Sequence, residues 1–362
     1  MERKKILFVG SISGGGKERR MCELIRYLHE LNQYDLFLLT NKASNADYPY
    51  VMECINDYFE LSEKVPTRSQ IKEYIKKTNP DIIHSWHTYL TYQIALIRFV
   101  LPKFNFIAGF IADGNKDEGF KEKTRTWISC AMSDVVVSNS WAGIYAHKAP
   151  IRKSVVIYNG FNPKRIPADN IVAKTREELR IGDSRVVVMA ARMDRMKDFD
   201  TFLDAIKILN TRISGVKYLL CGKGEKEAVY KKRVSLERID NVFFLGFRKD
   251  IETIYKMSVL SVLCSAKIHN EGVSNSIMES MAMGTPVIAT QSGGTPEIIE
   301  DGKNGYIINP EDAVSLAEKI ECLLQSDALR NRLSDAARET IVEKFSIKKM
   351  VEDYNVLYSR CL

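Results

Sequence analysis

Residues 269–308 read HNEGVSNSIMESMAMGTPVIATQSGGTPEIIEDGKNGYII. Ile277, Met278, Met281 and Ala282 recur at helical spacing and predict a helix with one apolar face. PVIAT (286–290) predicts a buried strand, and Gly293-Gly294 opens a further helix at Thr295. Glu271, followed by Gly272, falls in the loop before the first helix, and Glu279 in that helix's second turn. This is an alternating α/β run with carboxylates and glycines at its turns. In an open parallel sheet those turns are where ligands bind.

The same alternation extends in both directions. Upstream, KILFVG (5–10), DLFLLT, DIIHSW, FNFIAGFI and DVVVSNS are short continuous apolar runs, as expected of strands covered on both faces. Met21, Leu24, Ile25, Leu28 and Leu31 predict the first helix, and a second helix is expected around 71–77. SVVIYNGFNPKRIP reads as a last strand and a linker, because Asn159-Gly160 and two prolines end regular structure. A second round then begins with SRVVVMAARM and continues through KYLLCGKG, NVFFLGF and LSVLCS. Helices are expected over 199–209, to about 237, near 251–257 and from 313 to 344, and 347–358 is again amphipathic. The coarse duplication predicts two doubly wound α/β domains, which 362 residues suffice to fill.

Seven cysteines are scattered singly with no zinc-ligand spacing, which predicts reduced thiols, most of them small buried hydrophobes, in a cytoplasmic protein. No signal peptide is read at MERKKILFVG, and the longest apolar stretch, 94–101, is broken by Arg98 and too short to span a bilayer. The net charge of +7 is uneven, with 22 basic and 17 acidic residues before Pro163 and 31 and 29 from there on. Arg68, Lys72, Lys76, Lys77, Lys116, Lys121, Lys123 and Arg125 contribute to that excess. Such a face suits an anionic membrane surface or an acidic acceptor, and equally a merely solubilising surface. Nucleic-acid binding is not expected, since no aromatic stripe or known motif accompanies the basic residues.

Several residues suit the chemistry of a phosphorylated sugar. Glu271 and Glu279 can accept charge-assisted hydrogen bonds from hydroxyls. Read singly, the one is a solvated loop residue and the other a favourable early-helix acid. The backbone amides around Ser274 and Asn275, at the helix start, face any anion there. Arg192 and Lys197 follow strand VVVMA, an Arg fork and a Lys point charge suited to a diphosphate without a metal. One basic pair in a loop is otherwise usually solvated. Gly14-Gly15-Gly16 follows the first strand without the GxGxxG spacing, so a nicotinamide reading loses support. His84 and His87 end a strand, where a general base or a hydrogen-bonded structural histidine fits. No Ser-His-Asp arrangement or metal-ligand cluster is present in the sequence.

The carboxylate pair, the glycine turns and the Arg192–Lys197 spacing together resemble the retaining glycosyltransferases of family 4. The resemblance implies the GT-B architecture: two Rossmann-like doubly wound domains facing across a cleft, with a C-terminal helix returning to the first. The acceptor domain would span 1–163 plus 346–362, and the nucleotide-sugar domain 164–345. Arg192, Lys197 and Glu271 would be catalytic. Gly15, Gly16, Gly293 and Gly294 would lie by the donor phosphates, Glu279 on the ribose, and Phe247, Arg248 and Ile251 around the base. The histidine that many members place after the next strand is missing here, and Asp113 or Asn115 stands in that position, so His84, His87, Asp113 and Asn115 are expected near the acceptor or the transferred sugar. Asn139, Ser140 and Asn159-Gly160 match positions with a structural part.

The implied function is transfer of a sugar from a nucleotide donor, UDP before GDP, to a glycan or lipid-linked acceptor in cell-surface polysaccharide or glycoconjugate synthesis. No metal or further cofactor is expected, and the site of action would be the cytoplasm or the inner membrane face. The rivals are a GT-B nucleotide-sugar epimerase and a nucleotide-sugar-binding subunit without turnover.

Overall fold

The computed structural model of the chain describes residues 3–40, 46–61, 68–114 and 119–362. The chain divides into two compact units, residues 1–160 with 347–362, and residues 161–346. Each is built on one parallel sheet.

In unit 1 the strands are β1 (Lys4–Val9), β2 (Tyr34–Thr40), β3 (Asp57–Glu60), β4 (Ile82–Ser85), β5 (Asn105–Ile111), β6 (Val135–Ser138) and β7 (Ser154–Val156). Their spatial order is β3-β2-β1-β4-β5-β6-β7. The central strands are buried throughout their apolar runs, β4 in all its residues, because helices cover both faces. The edge strand β3, DYFE, alternates between half-buried and exposed, and it falls in a segment the sequence shows only as loose chain.

Helix Ile347–Cys361 is part of this unit. Its Met350, Val351, Tyr354, Leu357 and Tyr358 pack with Ile6, Phe8, Leu24 and Leu28 in one core. Burying a side chain of that size contributes roughly 1.5–3 kcal/mol. Tyr34 Oη donates to Asn355 at 2.6 Å, so polar contacts fix the register of the packed helix.

In unit 2 the strands are β8 (Arg185–Ala190), β9 (Val216–Cys221), β10 (Val242–Gly246), β11 (Leu260–Leu263), β12 (Val287–Thr290) and β13 (Tyr306–Ile308), ordered β10-β9-β8-β11-β12-β13. Its core is formed by residues such as Val187, Met189, Phe202, Leu220 and Ile320. The segment read as a linker holds a 3-10 turn, Pro163–Arg165, and the unassigned stretch after Pro167 forms a helix, Asp169–Glu178. Among the described residues no helix is long and apolar enough to cross a membrane, and no cluster of three or more His, Cys, Asp or Glu could hold a metal ion. The seven cysteines are unpaired, five of them buried.

Strand order reverses direction between β1 and β4 in unit 1 and between β8 and β11 in unit 2. At such a switch point adjacent loops diverge to opposite faces, and a crevice opens above the carboxyl ends of the strands.

Candidate functional site

The loops that leave β8 and β11 meet at the switch point of unit 2. Asp198 N–H donates to Cys264 O at 3.0 Å and Ala266 N–H to Met196 O at 3.0 Å, so the loop after β8 is zipped against the end of β11. This backbone pairing brings Lys197 Nζ onto Glu271 Oε1, although 74 positions separate the two residues. Both side chains are largely enclosed, at 10% and 15% exposure. His269 Nε2 lies 3.7 Å from the same carboxylate oxygen, and Ser265 Oγ donates to Oε2 at 3.4 Å. Burial pushes the Glu271 carboxyl up, but the Lys197 ammonium and then His269 outweigh it and hold it at about 2. Glu271 is therefore an anion at any physiological pH.

The glycine pair after β12 fixes the height of Glu271. Gly293 has φ +46°, and a Cβ there would stand 1.9 Å from Glu271 O. No side chain fits this position. Gly294 N–H donates to Glu271 O at 2.8 Å, and Ser292 Oγ accepts from Glu271 N at 3.3 Å. That bond corrects the expectation that the Gly294 amide serves a phosphate: its N–H is committed to holding the Glu271 backbone. Ser274 is the N-cap of helix Asn275–Ala282 without a side-chain capping bond, and Asn275 opens the helix. Ser276 Oγ donates to Ala190 O at 2.9 Å, which ties the helix start to the end of β8.

Arg192 does not share the Lys197 contact. It extends outward, 81% exposed, with Nη2 3.3 Å from Asp194. It lines an open depression of about 330 Å³ with Asp194, Arg195, Met196, Lys223, Gly224 and Glu225. The loop after β9 forms its other wall, and Met193 N–H donates to Lys223 O at 3.1 Å. Phe247 is 68% exposed, so it does not pack beneath its loop. Arg248 is held by two bonds to Asp250, at 2.9 and 2.6 Å, beside half-buried Ile251 at the start of the next helix.

Glu279 is 5% exposed and meets Arg165, whose Nη2 is 3.1 Å from Glu279 Oε1. Arg165 also contacts Glu252, another buried carboxylate. Arg165 and His269 were missed in the sequence. His269 had a signal, its place two residues before Glu271, whereas Arg165 lies 114 positions from Glu279 with nothing local to mark it.

Unit 1 places its residues separately. Helix Gly16–Leu31 follows the glycine turn, and Gly14 N–H is held by Asp47 Oδ2 at 3.0 Å. A Cβ on Gly15 would meet nothing within 4 Å, so packing does not demand glycine there. His87 caps helix Thr88–Ile97, its Nδ1 accepting from Leu90 N–H at 3.3 Å. Burial, then the charge of Lys17, lowers its pKa. The neutral ring thus carries its proton on Nε2 and presents a donor, in line with the hydrogen-bonded alternative of the two readings.

For His84 the expectation is corrected. It is fully buried within β4, its Nδ1 lies 2.7 Å from Tyr358 Oη, and a Cβ on Gly109 would sit 2.5 Å from its Nε2. Burial drives its pKa well below the ordinary value, and no ligand reaches it. Asp113 is 46% exposed, with its carboxylate 3.6 Å from His147 Nε2. Asn115 and Lys116 lie outside the described residues. Ser140 caps helix Trp141–Ala146, and Asn159 accepts from buried Arg20 at 2.8 Å, both structural contacts.

Comparison with known families agrees with this layout. Residues 14–165 match Glycosyltransferase Family 4 and residues 172–340 match Glycosyl transferases group 1. The chain carries these two matched domains in a GT-B fold. Among curated relatives, this GT-B chain is 28% identical over 232 residues to the N-acetyl-alpha-D-glucosaminyl L-malate synthase of Bacillus anthracis, covering 63% of this chain and 60% of that one. It is 32% identical over 186 residues to the lipopolysaccharide core biosynthesis glycosyltransferase LpsE of Rhizobium meliloti, covering 51% and 53%. The matches thus span only a little over half the length of these relatives. Among solved structures, a glycosyltransferase from Rickettsia africae superposes with a TM-score of 0.85 at 23% identity, over 100% of this chain and 99% of that chain. Anabaena HepE in complex with UDP-glucose gives 0.84 at 20% identity, over 98% and 99%. These likenesses establish the fold, two Rossmann-like parallel-sheet domains of GT-B type.

Proposed function

We propose that the chain is a retaining glycosyltransferase of family 4 that moves a hexosyl or N-acetylhexosaminyl unit from a nucleotide sugar to a glycan or lipid-linked acceptor in cell-surface polysaccharide or glycoconjugate synthesis. The observation that carries this reading is the enclosed Lys197–Glu271 pair at the switch point of unit 2. A permanently ionised Glu271 accepts hydrogen bonds from sugar hydroxyls. Lys197 neutralises it until a diphosphate arrives, then supplies the cation that stabilises the departing phosphate. Arg192, free to swing from its exposed position, adds the second positive charge. Glu279 takes the ribose hydroxyls, and Phe247 with Ile251 borders the base. No protein nucleophile is assigned, in keeping with front-face transfer with retention, and no metal is needed when two cations face the diphosphate. His87, as a donor, and Asp113 belong to the acceptor side.

UDP is the preferred nucleotide, since HepE was solved with UDP-glucose and with UDP. A thermal-shift panel of UDP- and GDP-sugars tests this, because a ligand that binds the folded chain raises its melting temperature. Stabilisation by no nucleotide sugar refutes the reading. Incubation with donor alone separates the rivals: an epimerised nucleotide sugar favours an epimerase, and binding without turnover on any acceptor favours a binding subunit.

Peripheral contact with an anionic membrane is part of the proposal. Helix Phe120–Met132 exposes Phe120 at 86% and Trp127 at 68%, with Lys121 and Lys123 exposed beside them. Aromatic side chains flanked by lysines suit a negatively charged bilayer surface. Lys77 is paired with Asp57 and Arg125 with Glu122, which lowers their weight in the basic face.

A further inference from the structure

Arg165 is presented by a short turn held by its own hydrogen bonds. Pro163 opens the 3-10 turn Pro163–Arg165, and Asn162 caps it by accepting from Lys164 N–H at 3.0 Å. The preceding residue pair is anchored too, Phe161 N–H donating to Phe345 O at 2.7 Å, and the Arg165 guanidinium lies 5.5 Å from the centre of the Phe161 ring. From this base Nη2 reaches two buried carboxylates, Glu279 Oε1 and Glu252 Oε1. Both glutamates are 5% exposed.

One guanidinium between two enclosed carboxylates has a directional consequence. A carboxylate offers two oxygens and about four acceptor positions. Holding Oε1 fixes the plane of the group and therefore where the remaining acceptor positions point. Without the cation the two like charges repel, and the enclosed Glu279 leaves its position. We propose that Arg165 is a positioning residue that orients Glu279 to receive the two ribose hydroxyls of a nucleoside diphosphate. The inference rests on the reading of unit 2 as a nucleotide-sugar site. Glu252 is the counterweight, the carboxylate whose repulsion Arg165 also cancels.

The test is calorimetric titration of the full chain with UDP and with 2′,3′-dideoxy-UDP. The wild type is expected to prefer UDP by about tenfold or more, the worth of a charge-assisted pair of hydroxyl bonds. In Arg165→Met the affinity for UDP falls by roughly tenfold while that for the dideoxy analogue changes by less than about twofold, so the preference collapses. In Arg165→Met/Glu252→Gln much of the preference returns, because the competing charge is gone. Equal weakening of both nucleotides, or an unchanged preference, overturns the proposal, since a merely structural residue does not discriminate between them. If circular dichroism shows Arg165→Met unfolded, Arg165→Lys decides. The lysine side chain is one atom shorter, so its ammonium does not reach both carboxylates from the same turn, and its preference is expected to drop to about threefold; a preference equal to that of the wild type overturns the idea. A wild type that binds UDP without preferring it to the dideoxy analogue refutes the ribose role of Glu279 itself. A wild type that binds no UDP refutes the nucleotide assignment beneath it.

Discussion

Replacing Lys197 by Met removes the ammonium that faces Glu271 and leaves the carboxylate enclosed beside His269. In the native chain Glu271 is held at about 2 against an ordinary 4.5, although burial alone pushes it upward. That difference is worth roughly 3 kcal/mol of folding stability at neutral pH, and breaking a buried pair from one side costs about 3–5 kcal/mol. The sign follows from linkage. A carboxyl whose folded-state pKa is depressed contributes stability that is present above its unfolded value and lost as the pH falls toward 2. In Lys197→Met only His269 still opposes burial, so the folded-state pKa rises from its native value. The deficit relative to the wild type is then greatest at neutral pH and narrows as the pH falls through 4.5 toward about 2, where the wild type loses its own contribution. Trp86, Trp127 and Trp141 all lie in unit 1, so tryptophan fluorescence does not follow this event. Hydrogen exchange of peptides covering residues 260–275, measured at neutral and mildly acid pH, does. A second variant, Lys197→Met/Glu271→Gln, is expected to recover most of the loss. A deficit under about 1 kcal/mol at neutral pH, a deficit that does not shrink on acidification, or a double variant no more stable than the single one would refute the reasoning.

Three further outcomes are expected. Gly293→Ala places a methyl group 1.9 Å from Glu271 O at a left-handed φ, so sugar transfer should fall by at least about tenfold with a stability loss of about 2 kcal/mol or more; near-normal activity would show that the turn relaxes freely. Tyr358→Phe removes the partner of buried His84 and should cost about 1–3 kcal/mol in thermal denaturation while the affinity of unit 2 for nucleotide stays unchanged. Trp127→Ser with Phe120→Ser should abolish co-sedimentation with anionic vesicles and leave the circular dichroism spectrum intact, and unchanged sedimentation would remove this helix from the membrane proposal.

The alternation of apolar runs and glycine turns made the fold class legible, because parallel strands covered on both faces keep apolar residues in succession. The elements that escaped lack such a signal. β3 is four residues long at a sheet edge, helix Thr88–Ile97 (TYLTYQIALI) is apolar on most sides and shows no stripe, and helix Asp169–Glu178 buries only Thr175. The sequence singled out Lys197, Glu271 and Glu279, but as separate groups with separate tasks. That the first two meet each other, and that Arg165 meets the third, depends on loop pairings between positions 74 and 114 apart. His84 illustrates the opposite error. Its place at the end of a strand suggested access, and only the return of Tyr358 from the far end of the chain seals it.

The helix Ile347–Cys361 completes the core of unit 1, yet it is synthesised after every residue of unit 2. On the ribosome, residues 161–346 form a continuous stretch that can fold as it emerges, whereas residues 1–160 wait with Phe8, Leu24 and His84 uncovered until helix Ile347–Cys361 emerges. The order of assembly is therefore inverted with respect to the order of translation. A chaperone that recognises nascent chains would find a longer-lived target in residues 1–160 than in residues 161–346.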